Sequence, residues 1–283
     1  MRMPIGARLF EGPGPFLMGV VNATPDSFSD GGRFLEPDAA VARAERLAEE
    51  GADLVDLGGE STRPGSAPVD EAEELRRVVP VVRRLRARGF RLPISLDTCK
   101  AAVARAGLAA GADLVNDVTG LADPAMARAV AEAGCPVVLM HLRGTPATMQ
   151  AHATYRDLLG EVAGELRAAV ARALAAGVAE DRIILDPGIG FAKTTPQNVE
   201  LLARIGELRA LGRPLLVGPS RKRFVGELTG APVEARLPGT LAAVTACVLA
   251  GVELVRVHDV AEARQAALVA AALREAGARA AVG

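Results

Sequence analysis

The sequence predicts an α/β fold, a (β/α)8 TIM barrel with its active site at the carboxyl ends of the strands. The chain has 283 residues, close to the roughly 250 residues typical of this barrel. Short runs of branched apolar residues alternate eight times with longer stretches of helical period. Several of these stretches end in a glycine that leads into the next apolar run, as in Gly51-Ala-Asp-Leu-Val-Asp and Gly111-Ala-Asp-Leu-Val-Asn.

Each predicted strand is a continuous apolar run, as expected for a parallel sheet covered on both faces. The strands are predicted at 16–22, 53–58, 93–98, 113–117, 136–141, 183–187, 214–219 and 252–258. The helices are predicted at 38–50, 70–88, 100–110, 124–133, 156–177, 196–210, 221–228 with 239–250, and 260–277. Alternation alone also fits a doubly wound sheet, but the recurring glycine unit favours the closed barrel. No linker divides the chain, so we expect one domain over 1–283, with the barrel core at about 16–277.

Composition and charge exclude several classes of protein. The net charge of −1 argues against a nucleic-acid-binding surface. The most apolar stretch, 241–255, is interrupted by Gly251 and Glu253, so no membrane span is expected. Residues 1–16 contain proline and glycine where a secretion signal needs an apolar core. Cys99, Cys135 and Cys247 have no disulfide-framework spacing, which predicts reduced thiols in a cytoplasmic protein.

Polar side chains collect where the predicted strands end, and the strand beginnings carry no such set. They are Asn22, Asp56, Asp97, Asn116, Asp117, His141, Asp186, Ser220, Arg256 and His258. The carboxyl ends of barrel strands form the active face. Lysine, asparagine and histidine each occur only three times and tyrosine once, so each of these residues is more informative than usual.

Asp97, Asn116 and Asp186 end three different strands and would point into the barrel mouth. Two carboxylates and an amide suit a flat heterocycle that has several N–H donors on one edge. No histidine joins them at metal-ligand spacing, so a zinc site is not expected. Lys222 follows the seventh strand and would bond a ring carbonyl, a ring nitrogen or an anion. Met140, Val118 and Phe191 are apolar neighbours that either wall a flat ring or pack in the core.

Two long loops follow the first and second predicted strands. The first, from Asn22 to Gly32, holds a phenylalanine within a polar run, and the second, from Gly58 to Gly65, carries Arg63. Long loops in compact domains are commonly lids or binding loops, and the second suits an anionic ligand. Arg256 and His258 face the same way at the end of the eighth strand, where they would hold a phosphate-like group or form a structural pair. His141 is expected to be a core histidine.

Together these residues resemble the dihydropteroate synthase family of pterin-binding TIM barrels. The motifs occur in family order over residues 18 to 258. They are Met18-Gly-Val-Val-Asn-Ala-Thr-Pro-Asp-Ser-Phe-Ser-Asp-Gly-Gly32, Asp56-Leu-Gly-Gly-Glu-Ser-Thr-Arg-Pro-Gly65, Ser95-Leu-Asp-Thr98, Val115-Asn-Asp117, Leu185-Asp-Pro-Gly-Ile-Gly-Phe191, Gly218-Pro-Ser-Arg-Lys222 and Arg256-Val-His258.

The resemblance implies a transferase of folate biosynthesis that joins 6-hydroxymethyl-7,8-dihydropterin pyrophosphate to p-aminobenzoate, with Mg²⁺ as cofactor and a homodimeric assembly. The pterin would be bound by Asp97, Asn116, Asp186, Lys222, Met140, Phe191 and Gly218. The pyrophosphate would be bound by Asn22, Thr62, Arg63, Arg256 and His258, with Asn22 also on the metal. The aminobenzoate would contact Phe28, Thr62, Pro64, Ser220 and Arg221. The residues expected at the reacting centre are Lys222, Arg256, His258, Arg63 and Asp30.

Three other functions remain as alternatives. A pterin-binding methyltransferase barrel that passes a folate methyl group to a corrinoid would share the pterin edge but would not use the pyrophosphate residues. A non-catalytic pterin-binding paralogue would lack a contact that the motifs do not reveal. A sugar-phosphate barrel would have no use for Asp97, Asn116 and Asp186 together. Release of pyrophosphate separates the methyltransferase from the synthase.

Overall fold

The computed structural model describes residues 1–23, 36–61, 66 and 68–280. Two short strands, β1 (Arg2–Ile5) and β2 (Arg8–Glu11), come first. The next eight strands are β3 (Phe16–Asn22), β4 (Leu54–Gly58), β5 (Ile94–Asp97), β6 (Leu114–Asp117), β7 (Val137–Met140), β8 (Ile183–Asp186), β9 (Leu216–Val217) and β10 (Leu254–Val257). The α-helices are α1 (Glu36–Glu49), α2 (Glu71–Ala87), α3 (Ala101–Ala109), α4 (Pro124–Ala133), α5 (Leu158–Ala175), α6 (Thr195–Ala203), α7 (Arg223–Thr229), α8 (Leu237–Leu249) and α9 (Val260–Ala280).

Strands β3 to β10 form a parallel barrel. Their order in the sheet is β8-β7-β6-β5-β4-β3-β10-β9. A parallel bridge between Leu185 and Leu215 joins the two outer strands, and the Leu185 amide donates to the Pro214 carbonyl at 2.9 Å. The predicted (β/α)8 barrel is therefore confirmed, and each predicted strand agrees with the structure to within two residues at either end.

Helix ends follow the local sequence. Aspartates cap the amino ends of α2, α4 and α5, where the side chains of Asp70, Asp123 and Asp157 accept backbone N–H groups. Gly111 and Gly251 adopt φ angles of 113° and 84° just before a strand, a backbone conformation that side-chain-bearing residues avoid. The predicted helix 196–210 is only partly correct, because α6 ends at Ala203 and a separate 3-10 helix covers Ile205–Leu211.

A β-hairpin formed by β1 and β2 covers the amino end of the barrel, and the sequence did not predict it. Its side chains Met3, Ile5 and Phe10 are at most 2% exposed. They pack against residues near the strand beginnings, namely Met18, Leu54, Leu114, Val138, Ile184, Leu216 and Leu254. The hairpin therefore closes one end of the barrel with apolar packing, and the carboxyl end holds the polar side chains.

The main hydrophobic core lies between the strands and the surrounding helices. Within the described part of the chain, no helix combines the length and apolar character needed to cross a membrane.

Candidate active site

Five strands bring buried polar side chains to the barrel mouth. Asp56, Asp97, Asn116 and Asp186 are between 0% and 7% exposed, and Arg256 is half-buried among them. Asp97 and Asn116 are register partners on β5 and β6. Four of them lie at or next to the last residue of their strands: Asp97, Asn116, Asp186 and Arg256. These strands are far apart in sequence, so the barrel topology brings the four side chains together.

Arg256 joins two of the carboxylates. Its Nε donates to Asp56 Oδ2 at 2.6 Å, and a terminal guanidinium nitrogen donates to Asp97 Oδ2 at 2.8 Å. Asn116 Nδ2 donates to the same Asp56 oxygen at 3.0 Å. Asp56 is fully buried, so it acts as the common acceptor that orients both the guanidinium and the amide.

The second carboxylate oxygen of Asp97, Oδ1, is left without a partner. Among the described residues, Asp97 Oδ1 and Asp56 Oδ1 are buried side-chain atoms that accept no hydrogen bond. Buried polar atoms in native proteins are nearly always paired, so an orphaned acceptor at a barrel mouth marks a place where a ligand donor fits.

Burial also perturbs the acid groups of the site. Burial raises the pKa of Asp97 to about 7, with Arg256 lowering it and Asp56 raising it further. Burial raises the pKa of Asp186 to about 6, although the Gly188 N–H, Lys222 and Arg256 lower it. A ligand that presents N–H donors would favour the ionised form of both groups.

An apolar wall lies beside Asp186. Met140 is the register partner of Asp186 on β7, and it packs in one buried cluster with Val118, Met149, Phe191 and Ala192. Lys222 Nζ lies 4.2 Å from the centre of the Phe191 ring, a distance at which a cation is attracted to the ring face. The structure thus places Met140, Phe191 and Lys222 on the same side of the mouth as Asp186.

Ser220 and His258 form a contact between the loop after β9 and the end of β10. His258 Nδ1 lies 3.0 Å from Ser220 Oγ, and the His258 amide donates to that oxygen at 3.2 Å. Gly218 lies against Arg256, because a Cβ added to Gly218 would be 3.7 Å from the Arg256 Cβ. Asn22 ends β3 in register with Gly58 and is half-buried.

Arg221 has an ion-pair partner that the sequence did not predict. Its Nε donates to Asp259 Oδ2 at 2.9 Å, and its amide donates to Thr240 Oγ1 at 2.9 Å. Its φ angle of 55° makes it one of three described non-glycine residues in the left-handed region, with Leu121 and Ala192. All three lie in loops that follow strands, and such strain clusters at functional sites.

Five predicted site residues lie outside the described residues: Phe28, Asp30, Thr62, Arg63 and Pro64. Their assignments stay predictions. Glu60, in the second loop, is described: it pairs with Lys100, which also pairs with the buried Glu74.

Sequence reasoning missed Lys193, which is 2% exposed. Its Nζ lies 3.0 Å from His141 Nδ1, and His141 Nε2 lies 3.0 Å from Glu165 Oε2. His141 is 3% exposed and its pKa is lowered by burial, Lys193 and Arg143, which confirms a core histidine. The signal that could have found Lys193 is the scarcity of lysine, which occurs only three times in this chain.

The chain is similar to known proteins over nearly its whole length. Residues 18–258 match the protein family described as "Pterin binding enzyme". A dihydropteroate synthase from Synechocystis sp. is 46% identical over 96% of this chain and 94% of its own length.

Solved structures of dihydropteroate synthases are also similar to this chain in fold and sequence. A Yersinia pestis dihydropteroate synthase in a sulfonamide drug complex has a TM-score of 0.91 and 43% identity, covering 98% of this chain and 100% of that one. A Xanthomonas albilineans dihydropteroate synthase in complex with 7,8-dihydropteroate has a TM-score of 0.88 and 45% identity, covering 97% and 99%. The chain therefore belongs to the dihydropteroate synthase family, the pterin-binding transferases of folate biosynthesis.

Proposed function

We propose that this chain condenses 6-hydroxymethyl-7,8-dihydropterin pyrophosphate with p-aminobenzoate, giving 7,8-dihydropteroate and pyrophosphate. The observation that carries the proposal is the unpartnered Asp97 Oδ1 at the barrel mouth, where Asp97 is the register partner of Asn116. The Xanthomonas relative bound to 7,8-dihydropteroate supports it.

The pterin edge is assigned to Asp97, Asn116 and Asp186. The amino-pyrimidine edge of a pterin carries several N–H donors, and each carboxylate oxygen accepts such a donor with a charge-assisted hydrogen bond. Lys222, which lies over the Phe191 ring, is assigned to an acceptor atom of the pterin. Met140, Phe191 and Gly218 are assigned to the surfaces around the flat ring.

The reaction needs stabilisation of separating charges. Breaking the C–O bond leaves positive charge on the pterin and negative charge on the departing pyrophosphate. Ionised Asp97 and Asp186 stabilise the positive charge, and Arg256, His258 and Arg63 stabilise the negative charge. No covalent bond to the protein is required in this scheme. Asp30, which lies outside the described residues, is assigned to the reacting centre.

Mg²⁺ is proposed as the cofactor, bound together with the pyrophosphate. Asn22 offers one half-buried side-chain oxygen at the end of β3, and Mg²⁺ usually takes only one or two protein oxygens beside substrate phosphates and water. Among the described residues, no group of three His, Cys, Asp or Glu residues could hold a metal ion. When bound, the ion supplies charge stabilisation to the leaving group.

The aminobenzoate is assigned to Ser220 and Arg221 together with Phe28, Thr62 and Pro64. Asp259 accepts from Nε and one terminal nitrogen of Arg221. A guanidinium has five N–H donors, so the remaining donors of Arg221 stay available to a carboxylate. Because Ser220 Oγ contacts His258, the aminobenzoate and pyrophosphate subsites are proposed to be adjacent.

A homodimer in the cytoplasm is the proposed state of the protein. Leu249 on α8 and Leu268, Val269 and Leu273 on α9 are between 45% and 62% exposed, and an apolar surface on paired helices fits a second copy. The three cysteines are unpaired, as in a reducing compartment.

The direct test is pyrophosphate release by the purified chain with both substrates and Mg²⁺. We expect stoichiometric pyrophosphate and dihydropteroate, both lost when aminobenzoate is omitted. Asp186→Asn is the site control, and it should reduce the rate at sub-saturating pterin. Transfer of a methyl group from methyltetrahydrofolate to a corrinoid, without pyrophosphate release, would instead identify the methyltransferase alternative.

A further inference from the structure

Lys193 is buried among neutral acceptors. Its Nζ lies 3.1 Å from the Gly188 carbonyl oxygen, 3.1 Å from that of Phe191 and 3.0 Å from His141 Nδ1. Three acceptors match the three donors of an ammonium group. Burying a lysine is costly, and burial lowers the pKa of Lys193 to about 7. A side chain used only to fill this space would need none of these donors.

The two carbonyls that Lys193 holds belong to the loop that forms one side of the pterin pocket. The Gly188 N–H donates to Asp186 Oδ1 at 2.7 Å, so the position of Gly188 sets the orientation of the carboxylate. The Phe191 ring lies under Lys222 Nζ at 4.2 Å. Lys193 therefore bonds directly to the two residues that position Asp186 and Lys222.

Two other rare residues hold the same loop. Tyr155, the sole tyrosine of the chain, donates its hydroxyl to the Ala192 carbonyl at 2.9 Å. The Gly190 amide donates to Asn198 Oδ1 at 2.6 Å. Ala192 has a φ of 48°, a strained conformation that needs such external support.

We propose that Lys193 is a positioning residue for the pterin pocket, because its bonds to the Gly188 and Phe191 carbonyls fix the loop after β8, which orients Asp186 and carries Phe191 into contact with the pterin. The inference rests on the proposed function, which makes these two residues pterin contacts. Lys193 itself has no assigned contact with substrate.

The test compares Lys193→Met with Arg86→Met. Methionine keeps the length of the buried stem and removes the donors. Arg86 also donates to backbone carbonyls, at 2.9 Å to Gly111 and 3.0 Å to Leu92, but it lies at the amino end of the barrel. Both variants should unfold at a lower temperature than the wild type. A difference in pterin Kd between them therefore does not come from a general loss of stability.

Calorimetry with pterin pyrophosphate should separate the two variants. For Lys193→Met we expect the pterin Kd and KM to rise about tenfold, the scale of one lost hydrogen bond to a charged group, while kcat and the aminobenzoate KM change much less. Hydrogen exchange of residues 187–194 should accelerate. Arg86→Met should keep the wild-type pterin Kd. A pterin Kd for Lys193→Met within twofold of wild type would overturn the inference.

A second variant covers the case in which Lys193→Met does not fold. Tyr155→Phe removes only the hydroxyl that bonds Ala192, and it should raise the pterin Kd about threefold with faster exchange of the same loop. An unchanged Kd in that variant would overturn the inference. Binding of pterin pyrophosphate without its turnover by the wild type would refute the proposed function and leave the inference standing. Failure of the wild type to bind it would overturn both.

Discussion

Replacing Arg256 with methionine should destabilise the protein more than the loss of a surface arginine does. The guanidinium bridges Asp56 at 2.6 Å and Asp97 at 2.8 Å, and these carboxylates are 0% and 6% exposed. Removing one partner of a buried ion pair costs about 3–5 kcal/mol. That is a large share of the roughly 5–15 kcal/mol that stabilises a typical domain.

The loss of stability in Arg256→Met should grow as the pH rises. Burial raises the pKa of Asp97 to about 7, and Arg256 is the largest influence that lowers it. Without Arg256 the pKa rises further, so above pH 7 the folded variant holds a proton that the folded wild type has released. The stability deficit of the variant therefore increases as pH rises above about 7, by at most about 1.4 kcal/mol per pH unit, and is smallest near pH 5.5.

Urea unfolding at pH 5.5 and pH 8.5 measures both effects. Arg88→Met is the control, because Arg88 is 61% exposed in its pair with Glu45 and such pairs contribute about 0–1 kcal/mol. Adding Asp97→Asn to Arg256→Met should recover part of the loss at pH 8.5. A loss of unfolding free energy in Arg256→Met no larger than that in Arg88→Met, or an equal loss at both pH values, would contradict this prediction.

Other consequences of the structure can be measured separately. Pterin affinity should weaken as pH falls through about 7 and then 6, because Asp97 and Asp186 protonate there; calorimetry at pH 5.5, 6.5 and 8 tests this, and a flat profile contradicts it. Asp186→Asn should weaken pterin binding by about 1.5–3 kcal/mol, whereas Asp56→Asn should mainly lower the free energy of unfolding, because Asp56 bonds protein groups; equal pterin Kd values in the two variants would contradict this ranking. Phe10→Ala should cost about 3–5 kcal/mol of stability with an unchanged kcat/KM, since the hairpin lies at the end of the barrel opposite the site, and urea unfolding with steady-state kinetics checks both. Chelation of Mg²⁺ should stop pyrophosphate release and restored Mg²⁺ should recover it; full activity in excess chelator would remove the metal from the scheme.

The barrel could be predicted because its signals are local. Most strands are short apolar runs that closely follow a glycine or proline, and the helix between two strands shows its own period. The hairpin of β1 and β2 was not predicted, because each strand has only four residues. Met3 and Phe10 are buried only because they pack against apolar residues near the beginnings of the barrel strands, which is a tertiary contact that the local sequence does not show.

The position of the site could be predicted and its internal bonding could not. A barrel brings the ends of its strands to one face wherever they occur in sequence, so Asp97, Asn116 and Asp186 could be placed at that face from the sequence alone. The bond from Arg256 to Asp56 joins residues 200 positions apart, and it depends on the stagger of the strands and the reach of a long side chain. That bond gives Arg256 two connected effects, since the group assigned to the pyrophosphate also sets the charge of the carboxylates assigned to the pterin. A substitution at Arg256 should therefore alter pterin binding as well as turnover, which strand-end patterning alone would not indicate.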